Sequence, residues 1–305
     1  PLPTKAVPVI LKSFRDKEGE VRKCVAELFG KTGSVTPEVV PALIKALGDR
    51  DSYVRASAAE ALGKCGAEAP EAVPALMNLL GDSYYYVRDS AADALERCGT
   101  LPLVLKVKLC IADLGDSNND IRRRAVENLD KIGKPAIPEL IKALTDSNSN
   151  VRRFAASALE KYKALTVELK VKRYIVDLGD GNTGVRIKAA EALGNLGAAA
   201  SEAVPHLVRL IVNNDYYVRL NAAEALEKLG SISSELEVKR YILDLAESNR
   251  DIRLHAAKAL QKLSPYAKEA LSKLKKLLQD ENETVRTAAE NAIDMIENTP
   301  APAAS

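Results

Sequence analysis

The 305-residue sequence has a composition typical of soluble globular proteins, with 47% hydrophobic and 28% charged residues. Its 44 Lys and Arg nearly balance its 42 Asp and Glu, which argues against a dedicated polyanion binder. No apolar run approaches the roughly 18 residues of a membrane span, so we expect no membrane insertion.

One short motif is repeated nine times along the chain. A Val-Arg or Ile-Arg dipeptide recurs about every 33 residues, and an acid or its amide lies five residues before each dipeptide. The nine dipeptides begin at Val21, Val54, Val87, Ile121, Val151, Val185, Val218, Ile252 and Val285. The chain is therefore predicted to consist of nine copies of one structural repeat.

Each repeat is predicted to form two helices. Helix A precedes the dipeptide and carries apolar residues at i, i+3, i+4 and i+7, which is the spacing of one helical stripe. In repeat 2 these residues are Val40, Leu43, Ile44 and Leu47. Helix B follows the dipeptide, places Ala at two core positions, and is followed in most repeats by Gly. Two short helices cannot bury such a stripe alone, so we expect the repeats to stack.

The repeat resembles the HEAT repeat. The segment from Gly48 to Gly66, with Pro41 in helix A, is similar to the HEAT-like class first described in phycobilisome lyases. The resemblance extends over residues 5–296 and implies an all-α fold, a right-handed α-solenoid (superhelix) of about nine two-helix repeats. We expect one solenoid over residues 1–298 and a disordered Pro/Ala-rich tail over residues 299–305.

The resemblance also implies structural roles and a range of functions. In this family the turn acid and the Arg of the dipeptide, here Asp49 and Arg55 or Asp82 and Arg88, join neighbouring repeats in a charged ladder. The family includes scaffolds, chromophore lyases, a metal-dependent hydroxylase and DNA-repair glycosylases. The resemblance therefore implies one fold and leaves several functions open.

A second period of two repeats is visible in helix A. Repeats 1, 2, 3, 5 and 7 carry Pro at one position, whereas repeats 4, 6 and 8 carry Lys there. The basic residues of these Lys repeats are Lys106, Lys108, Lys170, Lys172, Arg173, Lys239 and Arg240. Because helix A lies on the convex side in this family, they are expected to form a basic row there. This row is either a solvated face or a binding site for a nucleic-acid backbone.

The sequence offers no catalytic constellation. Its two histidines, His206 and His255, lie in no metal-binding motif, and the His-Glu dipeptides of the hydroxylase branch do not occur. The glycosylase branch needs aromatic residues that stack on bases, and this chain has no Trp. We therefore predict no catalytic residue, no cofactor and no metal site.

The four cysteines are predicted to be structural. Cys24, Cys65, Cys98 and Cys110 form no Cys-x-x-Cys motif. Equivalent positions in stacked repeats are about 8–10 Å apart, too far for a disulfide. We expect small buried thiols in a reduced, cytoplasmic protein.

Two groups of residues are candidates for binding a partner. Two places after the Val or Ile of the dipeptide, helix B is expected to face the concave wall, where no consensus residue recurs. Here and at the next position, a basic patch and an exposed apolar stripe are predicted from Arg123, Arg124, Arg153, Phe154, Ile187, Leu220 and Leu254. The alternative is that the aliphatic residues pack on one another. The second group lies on the turn edge and comprises Tyr53, Tyr84, Tyr85, Tyr86, Tyr216 and Tyr217.

These patterns favour a non-enzymatic scaffold that binds a partner protein or peptide along the concave face and the turn edge. A chromophore (bilin) lyase-like enzyme is the alternative, and nucleic-acid binding through the basic row is less favoured. A monomer is expected. The sequence does not identify the partner.

Overall fold

The computed structural model describes residues 2–3, 5–33 and 36–300, with backbone only at Ala67. This part of the chain contains eighteen α-helices and no β-strand. The A helices are α1 Val7–Lys12, α3 Val39–Ala46, α5 Val73–Leu79, α7 Leu103–Asp113, α9 Ile137–Ala143, α11 Val167–Asp177, α13 Val204–Leu210, α15 Ser234–Asp244 and α17 Leu271–Leu277. The B helices are α2 Gly19–Thr32, α4 Ser52–Cys65, α6 Tyr85–Arg97, α8 Asn119–Ile132, α10 Ser149–Lys161, α12 Thr183–Leu196, α14 Tyr216–Lys228, α16 Arg250–Lys262 and α18 Glu283–Asn298. The predicted all-α fold of two-helix solenoid repeats is confirmed.

The A helices of the Lys repeats are longer than those of the repeats between them, so the period of two repeats is visible in the structure. The Lys helices α7, α11 and α15 each have 11 residues, whereas α5, α9 and α13 each have 7. Proline lies in the first turn of α5 and α13, where its missing N–H has no intrahelical partner to lose. The Lys helices α11 and α15 begin earlier, and Thr166 and Ser233 cap their first turns through their hydroxyls.

The ends of the B helices are fixed by local chemistry. An Asp or Asn side chain accepts a hydrogen bond from the backbone two residues ahead and begins most of these helices. Glycine with a positive φ, such as Gly66 at 57° and Gly133 at 72°, ends several of them, because other residues rarely adopt this conformation. The turn formers noted in the sequence therefore act as start and stop signals.

The chain groups into two compact units. The N-terminal unit is Pro1–Ala143 and the C-terminal unit is Leu144–Ser305, so repeat 5 contributes α9 to the first and α10 to the second. The single solenoid over residues 1–298 stays a prediction. Of the predicted tail over 299–305, residues 301–305 lie outside the described residues.

Small residues bring neighbouring B helices into direct contact within each unit. In the N-terminal unit α4 packs against both α2 and α6, and in the C-terminal unit α12 packs against α14. A Cβ atom placed on Gly63 of α4 would lie 2.7 Å from the Ala94 Cα of α6, closer than real Cβ atoms approach. Gly194 meets Ala225 in the same way. The Ala-rich and Gly-rich helix B sequence is therefore a requirement of close stacking.

The Arg of the dipeptide has the same geometry at every turn, and in six repeats it also joins its repeat to the next. In all nine repeats the Arg of the dipeptide donates from Nη1 to the backbone carbonyls six and five residues earlier. In six repeats its other nitrogens bond a carboxylate of the next repeat at 2.5 to 3.0 Å. These pairs are Arg22–Asp49, Arg55–Asp82, Arg88–Asp113, Arg152–Asp177/Asp180, Arg219–Asp244/Glu247 and Arg253–Asp280. The predicted charged ladder is confirmed.

The rungs that lead into the Lys repeats use an additional acid that the sequence reading missed. Asp177 and Asp244 lie in α11 and α15 and are 3% and 2% exposed. They bind Arg152 and Arg219, which are equally buried. Burial raises the pKa of Asp244, and the hydrogen bonds from Arg219 act in the opposite direction.

The rung expected at Arg186 lacks its carboxylate. The residue 27 positions after Arg186 is Asn213, whereas Asp49, Asp82 and Asp280 occupy this place relative to their arginines. Among the described residues the buried Arg186 Nε has no hydrogen-bond partner. The ladder is therefore weakened between repeats 6 and 7.

The thiols are free, but one of them was wrongly predicted to be buried. Cys65 and Cys110 are buried and Cys98 is half-buried, whereas Cys24 is exposed. Cys24 lies about one third of a turn around α2 from Gly30, the residue that contacts α4, and is therefore not covered by that helix. Burial raises the pKa of Cys110 to about 11, so this thiol stays protonated at neutral pH.

Asn213→Asp is expected to complete the missing rung and to stabilise the protein. The new carboxylate can accept from Arg186 while keeping the hydrogen bond that Asn213 Oδ1 accepts from the Asp215 N–H. We expect a gain of about 1 kcal/mol in unfolding free energy, measured by denaturant titration. Asn214→Asp makes the same charge change one residue away. Equal stability of the two variants would contradict the missing-rung interpretation.

The Arg22–Asp49 rung is expected to be lost in acid. The hydrogen bond from Arg22 holds the pKa of Asp49 below its ordinary value of 3.8, and burial acts in the opposite direction. A lowered folded-state pKa means that the stabilisation is complete above the ordinary value and disappears as the pH falls through the folded value. Asp49→Asn should cost about 2 kcal/mol at pH 7 and progressively less below pH ~4, measured by urea unfolding. The control Glu269→Gln, at an exposed position, should show no such gap.

Candidate functional site

Four of the six predicted turn-edge tyrosines form one cluster in the N-terminal unit. Tyr53 stacks on Tyr86 with ring centroids 5.2 Å apart and planes 14° from parallel. Tyr84 and Tyr85 each place their ring centroid 5.6 Å from that of Tyr86, tilted in the first case and edge-on in the second. Tyr86 is therefore the hub of this tyrosine cluster, and all three contacts have favourable aromatic geometry.

The repeat explains why the cluster forms. Tyr53 and Tyr86 both directly precede the Val of their repeat, so they occupy equivalent places on adjacent turns. The Tyr86 hydroxyl is 2.5 Å from Ser52 Oγ, which fixes the hub between the two turns. Tyr86 is half-buried, whereas Tyr53 and Tyr84 are 61% and 51% exposed. The half-buried Tyr86 ring thus supports the exposed rings of Tyr53 and Tyr84 at the surface.

Two arginines flank the cluster and both are already paired. The Arg55 guanidinium lies 5.9 Å from the Tyr84 ring centroid and belongs to the ladder rung with Asp82. Arg124 lies 5.9 Å from the Tyr85 ring and bonds Asp89 at 2.9 Å. Because both cations are neutralised, the cluster suits contact with apolar and aromatic groups more than attraction of a charged partner.

The other two turn-edge tyrosines form a smaller pair in the C-terminal unit. Tyr216 and Tyr217 meet edge to face at 5.3 Å, and the Arg219 guanidinium lies 5.8 Å from the Tyr216 ring. Burial raises the pKa of Tyr216, whereas Tyr217 is 62% exposed. This pair presents a single exposed ring and is the weaker candidate.

The basic residues predicted on the B helices belong to different compact units. Arg123 lies on α8 of the N-terminal unit, where it is exposed and 3.0 Å from Asp120. Arg153 lies on α10 of the C-terminal unit, with its guanidinium 4.4 Å from the ring centroid of Phe154. The residues that were predicted to form one basic patch are therefore described as two separate groups, one in each unit.

The aliphatic stripe predicted to be exposed is half-buried. Ile187, Leu220 and Leu254 all have intermediate exposure, and Leu254 packs against the hydrophobic cluster that includes residues of α15 to α18. The stripe predicted to be exposed is therefore only partly exposed at all three positions.

The basic row on the Lys repeats is also less available than predicted. Arg240 is only 7% exposed, with its guanidinium 4.1 Å from the Tyr241 ring centroid. Arg173 bonds Asp177 at 3.1 Å. Three lysines of the row have salt bridges, namely Lys106 with Glu96, Lys170 with Glu160 and Lys172 with Glu168. These acids neutralise part of the positive charge of the row.

The described ranges contain neither a group of metal ligands nor a helix that could span a membrane. No three His, Cys, Asp or Glu side chains in this part of the chain are grouped so as to hold a metal ion. None of its helices combines the length and the apolar character needed to cross a bilayer.

A family model describing HEAT repeats matches residues 7–96, 107–170 and 174–239. The chain belongs to the HEAT-repeat family. No curated protein matches the sequence. The resemblance seen in the repeated Val-Arg unit is thereby confirmed at the level of the family.

Solved structures resemble this HEAT-repeat chain only distantly. An engineered protein is 24% identical, with 95% of this chain and 88% of that chain covered and a TM-score of 0.31. The complex of CpcE and CpcF of phycocyanin lyase from Nostoc sp. PCC7120 is 23% identical, with 97% and 96% covered and a TM-score of 0.30. At these TM-scores the family assignment depends on the repeat match alone.

The sequence reading found the tyrosines but missed the groups that position them. Ser52 and Arg55 contact the cluster, and Asp89 pairs with Arg124 beside it. A detectable signal was the 33-residue separation of Tyr53 and Tyr86, which equals one repeat. Side chains at equivalent places in adjacent stacked repeats are the ones that meet.

Tyr86→Ala is expected to disperse the cluster, whereas Tyr86→Phe should preserve it. The Ala variant loses all three ring contacts and should cost about 2 kcal/mol of unfolding free energy, while the Phe variant loses only the Ser52 hydrogen bond and should cost about 1 kcal/mol or less. Because the chain has no Trp, near-ultraviolet circular dichroism reports mainly on its tyrosines. An unchanged tyrosine signal in the Ala variant would show that the rings do not form this cluster.

Proposed function

We propose that this HEAT-repeat protein is a non-enzymatic, monomeric scaffold that binds a partner protein or peptide through the tyrosine cluster of its turn edge. The observation that carries the proposal is the pair of exposed rings, Tyr53 and Tyr84, held on the half-buried Tyr86. Tyrosine offers a large contact area for little lost side-chain freedom, and aromatic residues concentrate binding energy at interfaces. The free thiols suit a reducing, cytoplasmic setting.

The B helices supply a second candidate surface. The exposed Arg123, and Arg153 with Phe154, provide charged and aromatic contacts in the N-terminal and C-terminal units respectively. The half-buried Ile187, Leu220 and Leu254 contribute less than an exposed stripe would. We therefore assign the main role to the turn edge and a supporting role to the B helices.

A double variant, Tyr53→Ala with Tyr84→Ala, is expected to lose partner capture while keeping the helical circular dichroism spectrum and a cooperative melting transition, because both rings are largely exposed. The measurement is affinity capture from extract of the source organism, with quantitative mass spectrometry of wild type and variant. Tyr266→Ala is the matched control, because Tyr266 is 40% exposed and lies outside the candidate surfaces.

Arg123→Glu with Arg153→Glu tests the B helices in the same assay. Loss of capture in this variant alone would move the partner site from the turn edge to the B helices. Retention of every captured protein by both double variants would contradict the scaffold proposal at these surfaces.

Two direct assays separate the alternatives from the scaffold. Addition of a bilin should leave the visible absorbance of the bilin unchanged, and a covalent coloured adduct on this chain or on a captured partner would indicate lyase chemistry. Duplex DNA should show no salt-dependent gel shift, and a shift that falls steeply with salt would indicate backbone binding.

A further inference from the structure

A groove of about 560 Å³ opens between repeats 1 and 2 of the N-terminal unit, on the side of the A helices. Its apolar floor is made by Leu11 and Phe14 from repeat 1 and by Ala42 and Ala46 from α3. The volume lies within the range of roughly 300–1,000 Å³ that is usual for binding clefts. The groove shares no lining residue with the tyrosine cluster or with the B-helix candidates.

The groove lies where the sequence of repeat 1 departs from the other repeats. Helix α1 has only 6 residues and continues as a 3₁₀ turn over Ser13–Arg15. Phe14 and Arg15 stand where repeat 2 has Leu47 and Gly48. Glycine recurs at the Arg15 position in repeats 3, 4 and 6, as Gly81, Gly115 and Gly179. The repeat fold therefore does not require either a large ring or a cation at these two places.

The rim of the groove is positively charged. Arg22 and Asp49 also line it, but they neutralise each other in a ladder rung at 2.7 Å. Arg15, Lys45 and Arg50 remain as exposed cations on the rim. The remaining acid among the lining residues is Asp16, whose carboxylate accepts the backbone N–H of Glu18 and so caps the turn.

We infer that this groove is a second binding site, which takes an acidic peptide segment with one large apolar side chain. Charge complementarity with Arg15, Lys45 and Arg50 selects an acidic occupant. The floor around Phe14 selects an apolar anchor, which a simple polyanion lacks. The need for both negative charge and an apolar side chain distinguishes this peptide from nucleic acid, whose phosphate backbone would contact only the cations. The site goes beyond the proposed turn-edge function and does not depend on it.

Fluorescence anisotropy with three short labelled peptides tests the site on the full chain. The first probe has a central Phe flanked by Glu on both sides, the second replaces each Glu with Gln, and the third replaces the Phe with Ala. The first peptide is expected to bind about tenfold more tightly than either of the others. Equal binding of the first and third peptides would reduce the site to a non-specific anion surface and overturn the proposal, as would equal binding of the first and second peptides.

Two double variants locate the binding in the groove. Arg15→Glu with Lys45→Glu should weaken the first peptide at least about tenfold. Lys268→Glu with Lys273→Glu makes the same charge change at exposed positions of the C-terminal unit and should leave the affinity unchanged. Equal losses in both variants would show a general charge effect, and an unchanged affinity in both would place the peptide elsewhere. Either result overturns the proposal.

Two further variants test whether a loss of binding comes from misfolding or from the tyrosine cluster. Phe14→Leu with Arg15→Gly installs the residues of repeat 2, so it should keep the helical circular dichroism spectrum and still lose the peptide. Tyr53→Ala with Tyr84→Ala should bind the peptide normally. Retained affinity in the Phe14 and Arg15 variant would contradict the groove assignment, whatever the result of the partner-capture assay.

Discussion

The recurring arginine bridge is the interaction on which the rest of the structure depends. Each arginine uses Nη1 to close its own turn, and in six repeats it uses its remaining nitrogens to reach a carboxylate of the next repeat. The planar guanidinium makes this possible, because it presents several donors in a fixed geometry that lysine lacks. Turn conformation and repeat spacing are thus set by one side chain. The same residues position the tyrosine cluster, because hydrogen bonds of Asp49, Asp82 and Arg55 stabilise the turns on which Tyr53 and Tyr84 lie.

Much of the fold could be predicted from the period of the sequence. The nine dipeptides and the turn acids gave the number of repeats, the helix pairs and the ladder. Exposure was harder to predict, because a repeat defines equivalent positions but not how closely two stacked helices approach. Cys24 was expected to be buried and is exposed, whereas Arg240 was expected on an open basic row and is buried.

The candidate sites differ in how far the sequence could reveal them. The tyrosines could be predicted as a candidate site because the turns contain more of them than the repeat requires. The repeat length explains why Tyr53 contacts Tyr86. The directions of Tyr84 and Tyr85 around that hub depend on packing that spacing alone does not determine. The groove could not be predicted from the shared repeat pattern, because it arises where Phe14 and Arg15 depart from that pattern.

The hydrophobic core of the C-terminal unit has a consequence for cooperativity. Repeats 6 and 7 share one buried cluster, in which α12 packs against α14, and repeats 8 and 9 share another, in which α16 packs against α18. Where repeats contact only their neighbours, stability is a sum of repeat and nearest-neighbour contributions, so two repeats that share a core open together. The missing carboxylate at Arg186 removes a rung inside the first pair, while the packing of its helices remains. Amide hydrogens in α12 and α14 should therefore exchange with a shared opening free energy, distinct from that of α16 and α18.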